Sequence, residues 1–186
     1  MNSLINTDLT EHYISSETIA TGGLLTVKCD QVRLPNGNVS QREYVMHPGA
    51  VVVVPLLPNG NVVLEKQFRY PLHQVFIELP AGKIDAGEDI LTTGQRELLE
   101  ETGYSAADWV SLGHQHPCIG YSDEVIHMYL ARGLTVGDYK RDEDETLVVF
   151  EASFSDCLDM IQSGQITDGK TIIALLLADK FLQKHI

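Results

Sequence analysis

At 186 residues, with 44% apolar and 21% charged side chains, the chain is long enough to bury one core and too short for a second full domain. Twenty-six acidic residues against thirteen Lys and Arg leave a net charge of −13, which argues against a nucleic-acid backbone as partner, because such a surface needs clustered bases. The apolar runs are short and broken by Gly, Pro or charge, so no transmembrane helix is expected, and the opening MNSLINTDLTEHY does not read as a secretory signal. Cys29, Cys118 and Cys157 are scattered without paired metal-ligand spacing, which fits a reduced, cytoplasmic setting. An acidic protein can still bind a small phosphate ester if a divalent cation screens it from the carboxylates.

Residues 15–46 are β-rich around Pro35-Asn36-Gly37-Asn38, an Asn-Gly hairpin signal. A second hairpin is expected from residues 50–57 and 62–68 across Pro58-Asn59-Gly60-Asn61. The repeated PNGN reads as shared turn chemistry, since no wider similarity accompanies it. His47-Pro48-Gly49 is the expected boundary between a small N-terminal antiparallel β unit, residues 1–47, and a main domain, residues 48–186. In the main domain the pattern predicts a strand at 75–79, a helix at 88–102, and strands at 109–112, 125–131 and 146–152. Two helices follow, at 155–163 with Ser155 as cap and Gly164 as stop, and at 168–184 with Asp168 as cap.

On the helix at 88–102, Glu97, Glu100 and Glu101 fall within about a third of the circumference, with Leu91 and Leu98 on another face. Like charges at this spacing repel, and the one base in the second half of the segment is Arg96. A bound cation would supply the missing charge, and hard oxygen ligands select Mg²⁺ or Mn²⁺. Taken alone, E-x-x-E-E also describes an exposed acidic helix.

The wider spacing is more specific. Residues 82–104 read GKIDAGEDILTTGQRELLEETGY and match the Nudix box, G-x5-E-x7-R-E-U-x-E-E-x-G-U with U bulky and apolar, at Gly82, Glu88, Arg96, Glu97, Leu98, Glu100, Glu101 and Gly103. Tyr104 is aromatic where an aliphatic residue is usual. The chain therefore resembles the Nudix hydrolases. That resemblance implies a mixed α/β fold, an αβα sandwich around a mixed sheet, with the box as loop, helix and loop. It implies Glu97 and Glu101 as main metal ligands, Glu100 as a further one, and the carbonyl of Ala81 as a backbone ligand. Glu88 and Arg96 would form an internal ion pair, with Gly82 and Gly103 structural. Gly94 costs up to about 1 kcal/mol of helix propensity and receives no functional account from the sequence.

Within the family, the chain is most similar to the ADP-ribose pyrophosphatase branch, through HPGAVVVVPL, EKQFRYP, IELPAGK, GYSDE, RDEDE and ITDGKTIIAL in that order. This implies hydrolysis of ADP-ribose to AMP and ribose 5-phosphate with two or three Mg²⁺ ions, Mn²⁺ substituting. Arg69 would contact a substrate phosphate with its planar fork, Glu124 would accept from ribose hydroxyls, Glu143 would activate water and Glu145 would add a metal contact. It also implies a homodimer in which the N-terminal unit crosses to its partner. Ile119 stands where the branch often has Pro, and the single Trp, Trp109, lies outside the N-terminal unit, leaving Tyr13 and Tyr44 to meet a base. GDP-mannose or another sugar nucleotide therefore stays open as substrate. A silent nucleotide sensor would show an eroded box, and an RNA-end pyrophosphohydrolase would show basic stripes; the sequence has neither. His114, His116 and Cys118 read as ordinary strand or loop residues.

Overall fold

The computed structural model describes residues 8–137 and 146–185. They divide into two compact units, one formed by the chain up to His47 together with Cys118–Glu124, the other by Pro48–Pro117 and the chain from Val125.

The first unit is a three-stranded antiparallel sheet of β1 (His12–Thr21), β2 (Thr26–Arg33) and β3 (Val39–Met46) in that order. The turn between β2 and β3 forms where PNGN predicts it: the Asn36 side chain accepts from the Asn38 amide at 3.0 Å, and Gly37 takes φ 87°, a value open to glycine at no steric cost. The β-rich pattern of 15–46 does not reveal how β1 joins: it folds back over Gly22 and Gly23. Among the described residues of this unit Val32 is the one buried apolar side chain, while Tyr13, Ile14, Ile19, Leu24 and Val39 are exposed. Residues 118–124 attach here, with the amide of Val45 donating to Tyr121 O at 2.8 Å and that of His47 to Asp123 Oδ1 at 2.8 Å. Sequence distance hides that attachment.

The second unit opens on β4 (Ala50–Pro55), buried at all six positions. A strand apolar on both faces needs a layer on each side. Val51 and Val53 pack with Leu98 and Ala131, whereas Val52 and Val54 join Val62, Leu64, Met128 and Leu175 in the larger cluster. This alternation makes β4 the middle of an αβα sandwich. The expected second hairpin does not form as a strand pair. The Pro58-Asn59-Gly60-Asn61 turn forms, but β4 and β5 (Asn61–Arg69) share a single bridge, Leu56 to Val62, and enter different sheets. β4 takes β9 in parallel and β7 antiparallel as neighbours, in the order β7-β4-β9-β8, while β5 lies between β10 and β6. The remaining strands are β6 (Gln74–Glu78), β7 (Ala81–Lys83), β8 (Tyr104–Gln115), β9 (Ile126–Val136) and β10 (Leu147–Ser153).

Helix α1 (Ile90–Thr102) starts on Asp89, whose carboxylate accepts from the Leu91 and Thr92 amides, and ends on Gly103 in the left-handed region, φ 76°. Gly94 gains an explanation: a Cβ there would lie 3.1 Å from Val51 Cγ1, so its absence lets α1 sit close on β4. Helix α2 (Phe154–Gln162) is capped by Ser153, not Ser155. Ser153 is the extended residue that can reach the Asp156 amide, at 3.0 Å, whereas Ser155 already lies inside the helix. Helix α3 (Gly169–Leu182) starts on Asp168 as expected.

Candidate active site

The site is built where β6 ends. After Glu78 the chain passes through Leu79 and Pro80 into β7, which pairs with β4 as Ala81 to Val52 and Gly82 to Val51. The amide of Val53 donates to Pro80 O at 2.9 Å, fixing the crossover against the central strand. Helix α1 then brings its acidic face to this backbone. The Ala81 amide donates to Glu101 Oε2 at 2.9 Å. Gly82 has a sharper reason to be glycine: a Cβ there would stand 1.9 Å from both Cδ and Oε1 of Glu97, so the carboxylate occupies the space a side chain would fill. Glu97 and Glu101 are consequently 8% and 3% exposed, whereas the Glu100 side chain is 37% exposed.

Arg96 lies among these acids. Its Nε and Nη2 donate to the two oxygens of Glu88 at 2.9 Å each, and its Nη1 donates to Glu97 Oε1 at 2.8 Å and Glu100 Oε2 at 3.0 Å. The Thr93 hydroxyl adds a bond to Glu88 Oε2 at 2.8 Å. The Arg96 hydrogen bonds, helped by Thr93, hold the Glu88 carboxyl down at about 2. Among the described residues no three acidic, His or Cys side chains stand close enough together to ligate one ion as they are arranged. The donor set nonetheless suits a hard cation: two buried carboxylates and one half-exposed, beside a strand backbone from which a side chain is excluded. Because Glu88 grips Nε and Nη2, the Arg96 plane is fixed, and Glu97 and Glu100 are each tied to it through Nη1 alone.

A second ionic cluster lies along β5, β6 and the start of α3. Arg69 donates Nε and Nη2 to Glu78 at 2.7 Å each, and Lys170 bonds the same carboxylate. Burial alone would raise the Glu78 carboxyl, which is 2% exposed, but the Arg69 hydrogen bonds and the Lys170 charge outweigh it and leave it below the usual range. These residues, with Leu72, Phe76 and Asp168, line a cavity of about 250 Å³. Arg69 thus sits in a bidentate ion pair and also faces a cavity, with Nη1 outside that pair. Sequence reading missed Glu78, Lys170 and Thr171. The available signal was a carboxylate at the end of an otherwise apolar strand, nine residues from an Arg.

Glu143 and Glu145 lie outside the described residues. Glu124 belongs to the first unit, where its Oε1 is 3.5 Å from His47 Nδ1. His114 and His127 face each other across β8 and β9 with ring centroids 5.8 Å apart, and His116 stacks edge-on to His114. Trp109 packs edge-on to Tyr129 and donates its indole N–H to Ala106 O at 3.1 Å.

Comparison with known proteins identifies the family. Residues 46–170 match the NUDIX domain model, and residues 11–45 match a nucleoside diphosphate sugar hydrolase N-terminal domain. The chain is 40% identical over 169 residues to an ADP-ribose pyrophosphatase of Bacillus subtilis, covering 90% of this chain and 91% of that protein. It is also 40% identical over 169 residues to a methanol dehydrogenase activator of Bacillus methanolicus, covering 89% and 90% of the two. The crystal structure of an ADP compounds hydrolase superposes with a TM-score of 0.87 at 23% identity, over 96% of this chain and 98% of that one, which shows the shared fold. The chain belongs to the Nudix family, whose members generally use divalent metals.

The low Glu88 carboxyl has a measurable consequence. A depressed folded-state pKa contributes stability that is present above the ordinary value of 4.5 and is lost as pH falls through about 2. Glu88→Gln should therefore melt below the wild type at pH 7, with the gap closing between pH 4.5 and 2. A gap in melting temperature independent of pH would show that the ion pair does not supply it.

Proposed function

We propose that this chain hydrolyses the pyrophosphate bond of a nucleoside diphosphate sugar, with ADP-ribose as substrate and AMP and ribose 5-phosphate as products. The observation that carries the reading is the seating of Glu97 against Gly82 and of Glu101 against Ala81. It turns the acidic face of α1 toward a strand backbone and away from solvent. The similarity to the Bacillus subtilis enzyme over nine-tenths of the chain supports the choice of substrate.

Glu97, Glu101, Glu100 and the Ala81 carbonyl would hold two or three Mg²⁺ ions, with Mn²⁺ as substitute. When bound, such ions neutralise the pyrophosphate and polarise one phosphorus toward attack by water. The chain's own groups do the rest. Glu88 keeps Arg96 in place while the Glu97 and Glu100 carboxylates turn from its Nη1 toward the cations. Arg69, its plane fixed by Glu78, presents its remaining N–H groups to a substrate phosphate. Glu143 takes or orients the water proton, Glu145 adds a carboxylate to the cation site, and Glu124 accepts from a ribose hydroxyl. The free cysteines Cys29, Cys118 and Cys157 fit a cytoplasmic setting.

Turnover of ADP-ribose, GDP-mannose and other sugar nucleotides with Mg²⁺, Mn²⁺ or neither tests this directly. ADP-ribose should be turned over fastest and only with metal. Glu101→Gln should lower turnover by orders of magnitude while the fold survives, and wild-type turnover by that variant would sink the assignment. Glu143→Gln should slow single-turnover hydrolysis by roughly 10² to 10⁴ with metal affinity unchanged, the range for general-base loss. An unchanged chemical rate would remove Glu143 from the catalytic list.

The first unit supports a homodimer. A three-stranded sheet with one buried apolar side chain and exposed Tyr13, Ile19, Leu24 and Val39 lacks a core of its own, and a second copy of the chain would cover it. Light scattering at micromolar concentration should return twice the chain mass, and a monomer mass would refute the dimer.

A further inference from the structure

We infer that the first turn of α3 is a clamp that sets the metal-facing loop, with Thr171 as its positioning residue; this rests on the reading of Glu97, Glu100 and Glu101 as a divalent-cation site. Thr171 is fully buried, and its hydroxyl is committed on both sides. It donates to Asp168 Oδ2 at 2.6 Å and accepts from the Leu79 amide at 2.9 Å, an assignment the chemistry forces because a carboxylate has no proton to give and an amide has one. The same Asp168 oxygen accepts from the Thr171 amide at 3.1 Å and from Lys170 Nζ at 3.0 Å, and Lys170 also bonds Glu78. Two successive residues at the end of β6 are thus held from one helical turn, Glu78 through its side chain and Leu79 through its backbone.

The three residues after Leu79 give the clamp its function. Pro80 has a fixed φ, so the step from Leu79 to Ala81 is stiff, and displacement at one end reaches the other. Ala81 donates to Glu101, and Gly82 receives Glu97. The Leu79 amide that Thr171 holds is accordingly two residues from the backbone against which both buried carboxylates are seated. Without the Thr171 hydroxyl the buried Leu79 amide loses its acceptor, and the loop relaxes on the side away from β4. The contact orients carboxylate ligands without touching ion or substrate, as outer-shell partners do in metal sites.

The test is Mn²⁺ affinity measured without substrate, by calorimetry or by the electron-spin signal of free Mn²⁺, alongside thermal melting. Thr171→Val keeps the shape and removes the hydrogen bonds, and it should weaken Mn²⁺ binding about 10-fold or more, the range for lost outer-shell support. Thr171→Ser keeps the hydroxyl and should bind as the wild type. Leu182→Ala removes a half-buried apolar side chain at the opposite end of the same helix, eleven residues from Thr171, so it should melt lower yet keep its Mn²⁺ affinity. Should Thr171→Val fail to fold, Thr171→Ala takes its place with the same expectation. Wild-type affinity in the folded Thr171 variant lacking the hydroxyl would overturn the clamp, as would an equal loss in Leu182→Ala. If Glu101→Gln loses Mn²⁺ while the Thr171 variants do not, only the clamp fails; if the wild type binds no Mn²⁺, the cation site fails and the clamp with it.

Discussion

The fold's chemistry depends on how the Arg96 guanidinium is shared among the carboxylates of Glu88, Glu97 and Glu100. Helix α1 carries Glu97, Glu100 and Glu101 on one face, and two of them are buried against β7, where a carboxylate without a counter-charge is costly. Arg96 supplies that charge to Glu97, and Glu101 accepts from the Ala81 amide, yet the strongest attachment of Arg96 is to Glu88, on the loop ahead of the helix, through two parallel bonds. The single Nη1 contacts to Glu97 and Glu100 are the weaker ones. A helix face of this composition is thereby tolerable as folded and remains open to a cation. If Arg96 were paired with Glu97 in both bonds, the acids would be neutralised by the protein itself and would have less to offer a metal.

Holding α1 at this distance is the task of β4. Its six residues are buried on both faces, so it offers one apolar layer to Leu98 of α1 and another to the larger cluster behind it. Gly94 brings the helix close to Val51, Gly82 gives the Glu97 carboxylate room, and Gly103 turns the chain out of α1 into β8. Each glycine answers a separate steric demand: close packing, a space filled by another residue's side chain, and a left-handed cap. The box is therefore a packing solution as much as a run of acids. Its fixed glycines and fixed acids specify the same geometry.

Local spacing is what the sequence makes legible. The helical phase of the three glutamates, the Asp168 cap and both PNGN turns come from residues a few positions apart. Strand partners depend on what covers each face, which is why the turn at Gly60 reads correctly while its two strands part into different sheets. The attachment of Asp123 to His47 and the bond from Leu79 to Thr171 join residues 76 and 92 positions apart, and no local pattern carries them. Ser153 and Ser155 illustrate the boundary case. Both suit a helix start, and only the extended backbone of Ser153 decides between them.

Long-range ionic contacts also raise the question of why Glu78 is retained at a buried position. Taking a carboxylate, a guanidinium and an ammonium from water costs several kcal/mol per ion, and replacing such a group by well-packed apolar side chains is often neutral or stabilising. Stability is therefore a poor explanation for the cluster of Arg69, Glu78 and Lys170. Geometry is a better one. Two parallel bonds to Glu78 fix the plane of a long and otherwise flexible side chain, and Lys170 offsets the burial that would otherwise favour a protonated, weaker acceptor. Because Glu78 immediately precedes Leu79 and the loop that meets Glu97 and Glu101, the orientation of Arg69 and the seating of the acidic helix face are set by the same short stretch of chain.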